Sequence, residues 1–370
     1  MQTDVLVVGG GPAGLAAAIA AAEKGLQVAV VDPHKPPIDK ACGEGLLPEA
    51  VTALRTLGVE VDCAPGFRFV GIQFADAESS AAARFPQGRA YGVRRTALHQ
   101  MLVERASALG VAFLWGKQIT SHDSLHARAG GDKFSFRWLV AADGLHSPIR
   151  RKAGLNSVWR NVGPQGRFAF RRHYAVAPWS DLVEVYWGED CQAIVTPTGR
   201  QEVCVAVFTS DRRLRVDSAL TRFPELAKRL AGAPPSSAEA GSRTMLAQAR
   251  AVVHGNIALI GDAACSIDGV AGQGLNLAFQ SAIYLGEALA REDLRGYATA
   301  HYKITRTATR MTRLLLLMAG SNWVRRKALR MFASDPDFFS KMISIHAGAA
   351  QPDAFRLAEL FDLGWEVLRA

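Results

Sequence analysis

Cysteine is scarce and scattered. The 370-residue chain has five (Cys42, Cys63, Cys191, Cys204 and Cys265), an odd number with no C-x-x-C pair. That excludes a disulfide framework and a zinc-ribbon type of site, and it favours a reducing compartment. No Ser-His-Asp arrangement and no metal-ligand spacing is visible, so no metal is expected. Repeats, low-complexity linkers and nucleic-acid modules are also missing, and the net charge of +9 alone does not make a nucleic-acid-binding protein. Charge is absent from Val5 to Ala22, a run long enough for a window scan to read as membrane-spanning. Gly9, Gly10, Gly11, Pro12 and Gly14 interrupt it, and Asp4 precedes it where a secretion signal has positive charge. The run therefore reads as strand, turn and helix. With no secretion signal visible, the expected location is cytoplasmic. Acid is absent from His301 to Ser334, where Lys303, Arg306, Arg310, Arg313, Arg325, Arg326, Lys327 and Arg330 lie. These eight basic residues leave 9 − 8 = +1 for everything else.

What is present is ordinary globular material, 49% hydrophobic and 21% charged, enough for two domains or one composite domain. The stretch "TDVLVVGGGPAGLAAAIAAAEKGLQVAVVD" is a complete βαβ unit, with buried parallel strands at Val5–Val8 and Val28–Val31. Between strand and helix the turn satisfies G-x-G-x-x-G. Gly9 makes the tight turn, Gly11 admits a pyrophosphate, and Gly14 lets helix and strand pack closely. Asp32 ends the second strand, placed to accept hydrogen bonds from a ribose 2′-hydroxyl. From Arg167 to Ser210 the texture becomes alternating, aromatic and Thr-rich, which predicts an antiparallel sheet. From Arg291 onward the chain reads as helical.

Two further aspartate-glycine loops follow apolar strands, "ADGLHSPIR" (142–150) and "GDAACSIDGVAGQGLN" (261–276). Together with the first turn and "RRTALHQML", they resemble the para-hydroxybenzoate-hydroxylase-like family of FAD-dependent oxidoreductases, in the family's order and over most of the chain up to about Leu289. The resemblance implies a Rossmann-like α/β FAD-binding domain of the glutathione-reductase-like ββα type, an antiparallel-sheet substrate domain and C-terminal helices. The expected division is 1–75, 92–160 and 250–290 for FAD, 76–91 and 161–249 for substrate, and 291–370 for the helices. It implies that Asp143 and Arg150 help seat FAD and nicotinamide, that Asp262 meets the ribityl and pyrophosphate, and that Arg95 faces the phosphates. Pro12, Ala13, Lys40, Ile119 and Leu275 complete the expected cofactor contacts. Backbone N–H groups where Gly272, Gly274, Leu275 and Asn276 start a helix suit negative charge on the reduced ring. No second G-x-G-x-x-G occurs, so NADH or NADPH is expected only as a transient reductant.

The loop "DKACGEGLLPEA" (39–50) is similar to the cysteine-glycine loop of geranylgeranyl-reductase-like flavoproteins, and Asp268 fits that branch too. Cys265 stands where the hydroxylases commonly have histidine. Cys42 is expected to border the reaction cavity, with a buried filler or an active thiol as alternatives. In the sheet, alternation puts Arg171 and His173 on one face and Arg172 and Tyr174 on the other, while Tyr186 and Trp187 oppose each other. The candidate catalytic positions are Cys42, His173 and Tyr186. The implied activity is NAD(P)H-dependent monooxygenation of a hydrophobic aromatic or polyketide-like compound. The alternatives are C=C reduction of a prenyl or lipid substrate and a non-catalytic flavin-binding module at a membrane. The stripe Lys303, Arg306, Arg310, Arg313 is either a solvated helix face or a peripheral contact with anionic membrane through 303–330.

Overall fold

A computed structural model describes residues 1–63, 65–158 and 166–348. The junction expected at 160–161 and the segment 349–370 lie outside the described residues. In the strands Gln2–Val8 and Val28–Asp32 the runs Val5–Val8 and Val28–Val31 are apolar at every position because both of their faces are covered. They pair in parallel with Val5 opposite Val28, and on the other side Val5 lies opposite Trp138 of the strand Asp132–Ala141. Ala112–Trp115 extends the sheet at one edge, and Ile257–Leu259 with Val253–His254 at the other. The helix Pro12–Ala22 covers one face with small residues. Its slimness lets the helix Gly274–Ala290 cross so closely that a Cβ on Gly286 would lie 2.7 Å from the Ala20 carbonyl oxygen. This is the expected nucleotide-binding core.

The second sheet has seven strands, in the order Ala240–Thr244, Arg167–Tyr174, Glu202–Thr209, Cys191–Gly199, Leu182–Trp187, Gly71–Ala75, Ser80–Arg84. It is antiparallel except that Gly71–Ala75 runs parallel to Leu182–Trp187. The sheet thus begins at Gly71, which moves the expected boundary at 75. Gly71 permits this hairpin, since a Cβ there would sit 2.1 Å from the Ala83 carbonyl oxygen. Ala90–Val93 does not join the large sheet either. It pairs with Gly45–Leu46 and Gly66–Phe69 in a small sheet that anchors the Cys42 loop.

Alternation gives the large sheet two faces. Phe170, Tyr174, Val205 and Val207 are covered by the short helices Val216–Leu220 and Pro224–Arg229. Ala169, Val183, Val185 and Phe208 face the other way, toward the nucleotide-binding core and the helices Leu294–Gly320, Asn322–Ser334 and Pro336–His346. Phe74 packs edge-on to Trp187 at 5.5 Å and meets Phe339 at 5.3 Å, fixing the helix Pro336–His346 against the sheet. Among the described residues no helix is long and apolar enough to cross a membrane.

Candidate active site

One cavity of about 680 Å³ runs from the glycine turn to the apolar face of the large sheet. Its size is that of a cofactor or drug-sized ligand site. At the nucleotide end, Gly9 has φ +111°, and a Cβ there would lie 2.3 Å from the Ala142 carbonyl oxygen. Gly14 packs against Gly9, as its role in helix–strand packing demands, while the Cα of Gly11 faces open space. Asp32 is buried and accepts from the Gly10 N–H (2.7 Å) and the His34 N–H (2.8 Å), which aims its carboxylate along the cavity wall. Beneath the turn, His99 Nε2 donates to the Gly10 carbonyl at 2.9 Å. Burial holds this imidazole neutral by lowering its pKa. Nothing in the sequence marked His99 beyond its place one turn after Arg95.

Arg95, Ile119, Lys40, Asp143, Asp262, Gly272, Gly274 and Leu275 all line the same cavity, as do Gly9, Gly11, Pro12 and Ala13. Lys40 Nζ lies 3.3 Å from Asp262 Oδ2. Asp143 Oδ1 and Arg95 Nε are buried without a partner among the described residues. Burial pushes the Asp143 carboxyl up in pKa. Gly43, Gly272 and Gly274, like Gly11, have nothing within 4 Å of the space a Cβ would take. Orphaned polar atoms at one end and bare backbone along the wall fit a bound dinucleotide carrying a flat ring.

Four expected site residues, Tyr186, Asn276, Arg150 and His173, do not line the cavity. Tyr186 lies on the opposite face of the sheet, packed on Phe223 and donating to Glu184 Oε2 at 2.6 Å. Asn276 lies one residue past the cavity wall, and the helical turn aims its amide at Glu49 Oε2 (2.9 Å). Arg150 is a clasp. It donates to the carbonyls of Leu145 (2.6 Å) and Ala263 (2.8 Å), tying the two aspartate-glycine loops together. Asp268 is likewise structural, buried against Arg167 at 3.2 Å.

Cys42 borders the cavity, half-buried, with its Sγ accepting from the Glu44 N–H at 3.4 Å. Cys204 donates to the Cys42 carbonyl at 3.8 Å, and burial pushes its thiol well above the usual range. His173 is in the second layer. Its Nε2 lies 2.6 Å from Glu44 Oε2, and Glu44 is the group that reaches the wall.

The profile of the FAD binding domain family matches residues 2–313. The chain belongs to that family. It is an FAD-dependent oxidoreductase of the para-hydroxybenzoate-hydroxylase-like, monooxygenase-like group. It is 29% identical to menaquinone reductase of Mycobacterium tuberculosis over 79% of this chain and 78% of that one. It is 27% identical to 3-hydroxybenzoate 6-hydroxylase 1 of Aquipseudomonas alcaligenes over 79% and 82% of the two chains. The structure of the flavin-dependent brominase Bmp2 superposes with a TM-score of 0.80 at 18% identity, over 99% and 98% of the two chains, a likeness of fold. The cofactor of this flavoprotein is FAD, and the glycine turn, Asp32, Arg95, Asp143, Asp262, Gly272, Gly274 and Leu275 line the cavity whose shape suits it.

Proposed function

We propose that this flavoprotein hydroxylates a hydrophobic phenolic ring bearing an alkyl or prenyl chain, with NADH or NADPH as transient reductant. The observation that carries this reading is the substrate end of the cavity. There the large sheet contributes Ile72, Val183, Val185, Ile194 and Phe208, and the last helices contribute Met311, Leu315 and Met342. An unpaired charge placed among these side chains is costly, whereas each buried methylene of a chain gains about 0.8 kcal/mol. FAD, when bound, supplies the electron transfer and oxygen chemistry. The chain's own residues orient the ring, exclude water, and leave bare backbone at Gly43 and Gly272 where close approach is needed.

A second reading, reduction of a C=C bond, is favoured by the cysteine-glycine loop in the wall and by the similarity to an enzyme named as a menaquinone reductase. Oxygen uptake separates the two. With an alkylphenol, a monooxygenase should consume one O2 per NAD(P)H oxidised and yield a hydroxylated product. NAD(P)H oxidation that proceeds anaerobically to a saturated product would instead establish the reductase.

Delivery from a membrane surface suits such a substrate. The exposed stripe supports it in part: Lys303, Arg306 and Arg310 face solvent and form no ion pair among the described residues. Leu317 (53% exposed) and Trp323 (51%) stand out at the corner after the long helix. Lys327 sits over the Trp323 ring at 4.0 Å, a pairing suited to a headgroup boundary. Elsewhere in the basic cluster Arg313 is half-buried, Arg325 is buried and Arg330 pairs with Glu78 at 2.9 Å. On its inner side the same long helix supplies Met311 and Leu315 to the cavity.

A further inference from the structure

Glu44 is an unusual residue for its position. It is buried, yet its backbone has φ +60°, the left-handed region that favours glycine, although glycines flank it on both sides. Its carbonyl accepts from the Val93 N–H (3.0 Å), and its Oε1 accepts from the Arg95 N–H (3.0 Å). The strained conformation is thus held in place in a residue that lines the cavity, with its carboxylate turned back onto His173.

His173 is buried too, and its tautomer follows from its neighbours. Nδ1 lies 3.4 Å from Arg171 NH1, which can only donate, and 2.8 Å from the Ser237 hydroxyl. Nδ1 is therefore the acceptor, and Nε2 carries the proton toward the Glu44 carboxylate. Ser237 is half-buried in a loop whose neighbours Ser236 and Ala238 are exposed. The other charged and titratable groups around the pair are already engaged. Arg171 pairs with Asp39 and sits 3.8 Å from Glu44. Arg94 pairs with Glu202, and the Cys204 thiol is held protonated by burial. Glu44, His173 and Cys204 lie close enough to hold a metal ion, but the adjacent Arg171 guanidinium opposes a cation there.

We propose that Ser237, His173 and Glu44 form a proton path between solvent and the cavity, with Glu44 as the group that exchanges a proton with the substrate's hydroxyl. The proposal rests on the phenolic-substrate reading above. Running inward, a solvent proton bonds to Ser237 Oγ as the Ser237 proton passes to His173 Nδ1. The Nε2 proton passes to Glu44 Oε2, and the Glu44 proton goes to the phenolate oxygen. One N–H or O–H bond forms for each that breaks, and His173 is left as its other tautomer beside Arg171. Running outward, the phenol O–H breaks, Nε2 regains its proton and Nδ1 sheds one through Ser237, which restores the starting state. From the resting tautomer the inward run comes first: a substrate bound as its phenolate is protonated by it, and a later ionisation of that hydroxyl runs outward and resets the histidine. In this scheme Glu44 is catalytic, whereas His173 and Ser237 act through it.

The probe is 2-hexyl-4-nitrophenol, whose anion is coloured, bound to the FAD-loaded protein and followed by stopped-flow pH jump in weak buffer. Glu44→Gln, His173→Ala and Ser237→Ala should bind the probe within about threefold of the parent and retain FAD. Their protonation of the bound phenolate should be at least about tenfold slower, within what one positioned acid–base group contributes. Added imidazole should restore the rate of His173→Ala without changing its affinity, which a purely structural role would not allow. Ser237→Ala removes a half-buried hydroxyl that also accepts from the His173 N–H at 3.1 Å but leaves Glu44 and the His173 ring in place, so it reports even where the buried variants fold poorly. A probe that binds but equilibrates at one rate in every protein would overturn the path alone. A parent protein that binds no probe would contradict the substrate class, and the path with it.

Discussion

Gly11→Val should purify as a folded protein without flavin, whereas Gly14→Val should not fold. The two glycines are three residues apart in one motif, yet their surroundings differ completely. At Gly11 the backbone is ordinary (φ −72°, ψ 176°), and nothing lies within 4 Å of where a Cβ would go. The Cβ of a valine there meets no protein atom, and the side chain projects into the space at the helix N-terminus, where the pyrophosphate belongs. At Gly14 the Cβ would fall 1.8 Å from the Gly9 carbonyl oxygen and 3.1 Å from the Ala142 side chain. That collision is with backbone, so helix and strand must part, at a cost beyond the ~1–3 kcal/mol of ordinary overpacking. Flavin absorbance after gel filtration and a thermal melt read the two effects separately. Retained flavin in Gly11→Val would place the cofactor elsewhere. A normal melt for Gly14→Val would mean the turn can relax.

Reversing Lys303, Arg306 and Arg310 to Glu should lower binding to anionic vesicles on the order of 100-fold or more at low salt. Each basic residue near such a surface contributes about 1 kcal/mol, so three lost attractions alone amount to that factor, and the new repulsions add to it. The loss should shrink as ionic strength rises. Trp323→Ala should weaken binding with little salt dependence, because its contribution is apolar. Flavin content should stay unchanged in both, since neither set of residues touches the cavity. Unaltered partitioning of the triple variant, or none by the parent, would make the stripe an ordinary solvated helix face.

The nucleotide end was legible in the sequence because its chemistry acts locally. A phosphate at a helix N-terminus demands glycines at fixed spacing, and the ribose demands an acid at the end of the next strand. Gly9, Gly11, Gly14 and Asp32 follow from that demand alone. Alternation separated Arg171 and His173 from Arg172 and Tyr174, as the structure has them. It could not say which face of the sheet looks into the cavity, which is why Tyr186 was misplaced. Asn276 failed for a related reason, since a helix turns roughly 100° per residue and one step past Leu275 faces away from the cavity. Glu44 and His173 are 129 residues apart, and only the folded sheet brings them together. The boundary at 75 depended on Gly71–Ala75 pairing with Leu182–Trp187, a long-range contact that no local pattern announces.

Flavin stoichiometry is the most direct test of the whole reading. The purified chain, incubated with excess FAD and then gel-filtered, should carry one FAD per chain. It should bleach on addition of NADH or NADPH, faster when an alkylphenol is present. A chain that emerges colourless and regains no flavin would contradict the assignment of this cavity to FAD, and with it the oxidoreductase chemistry.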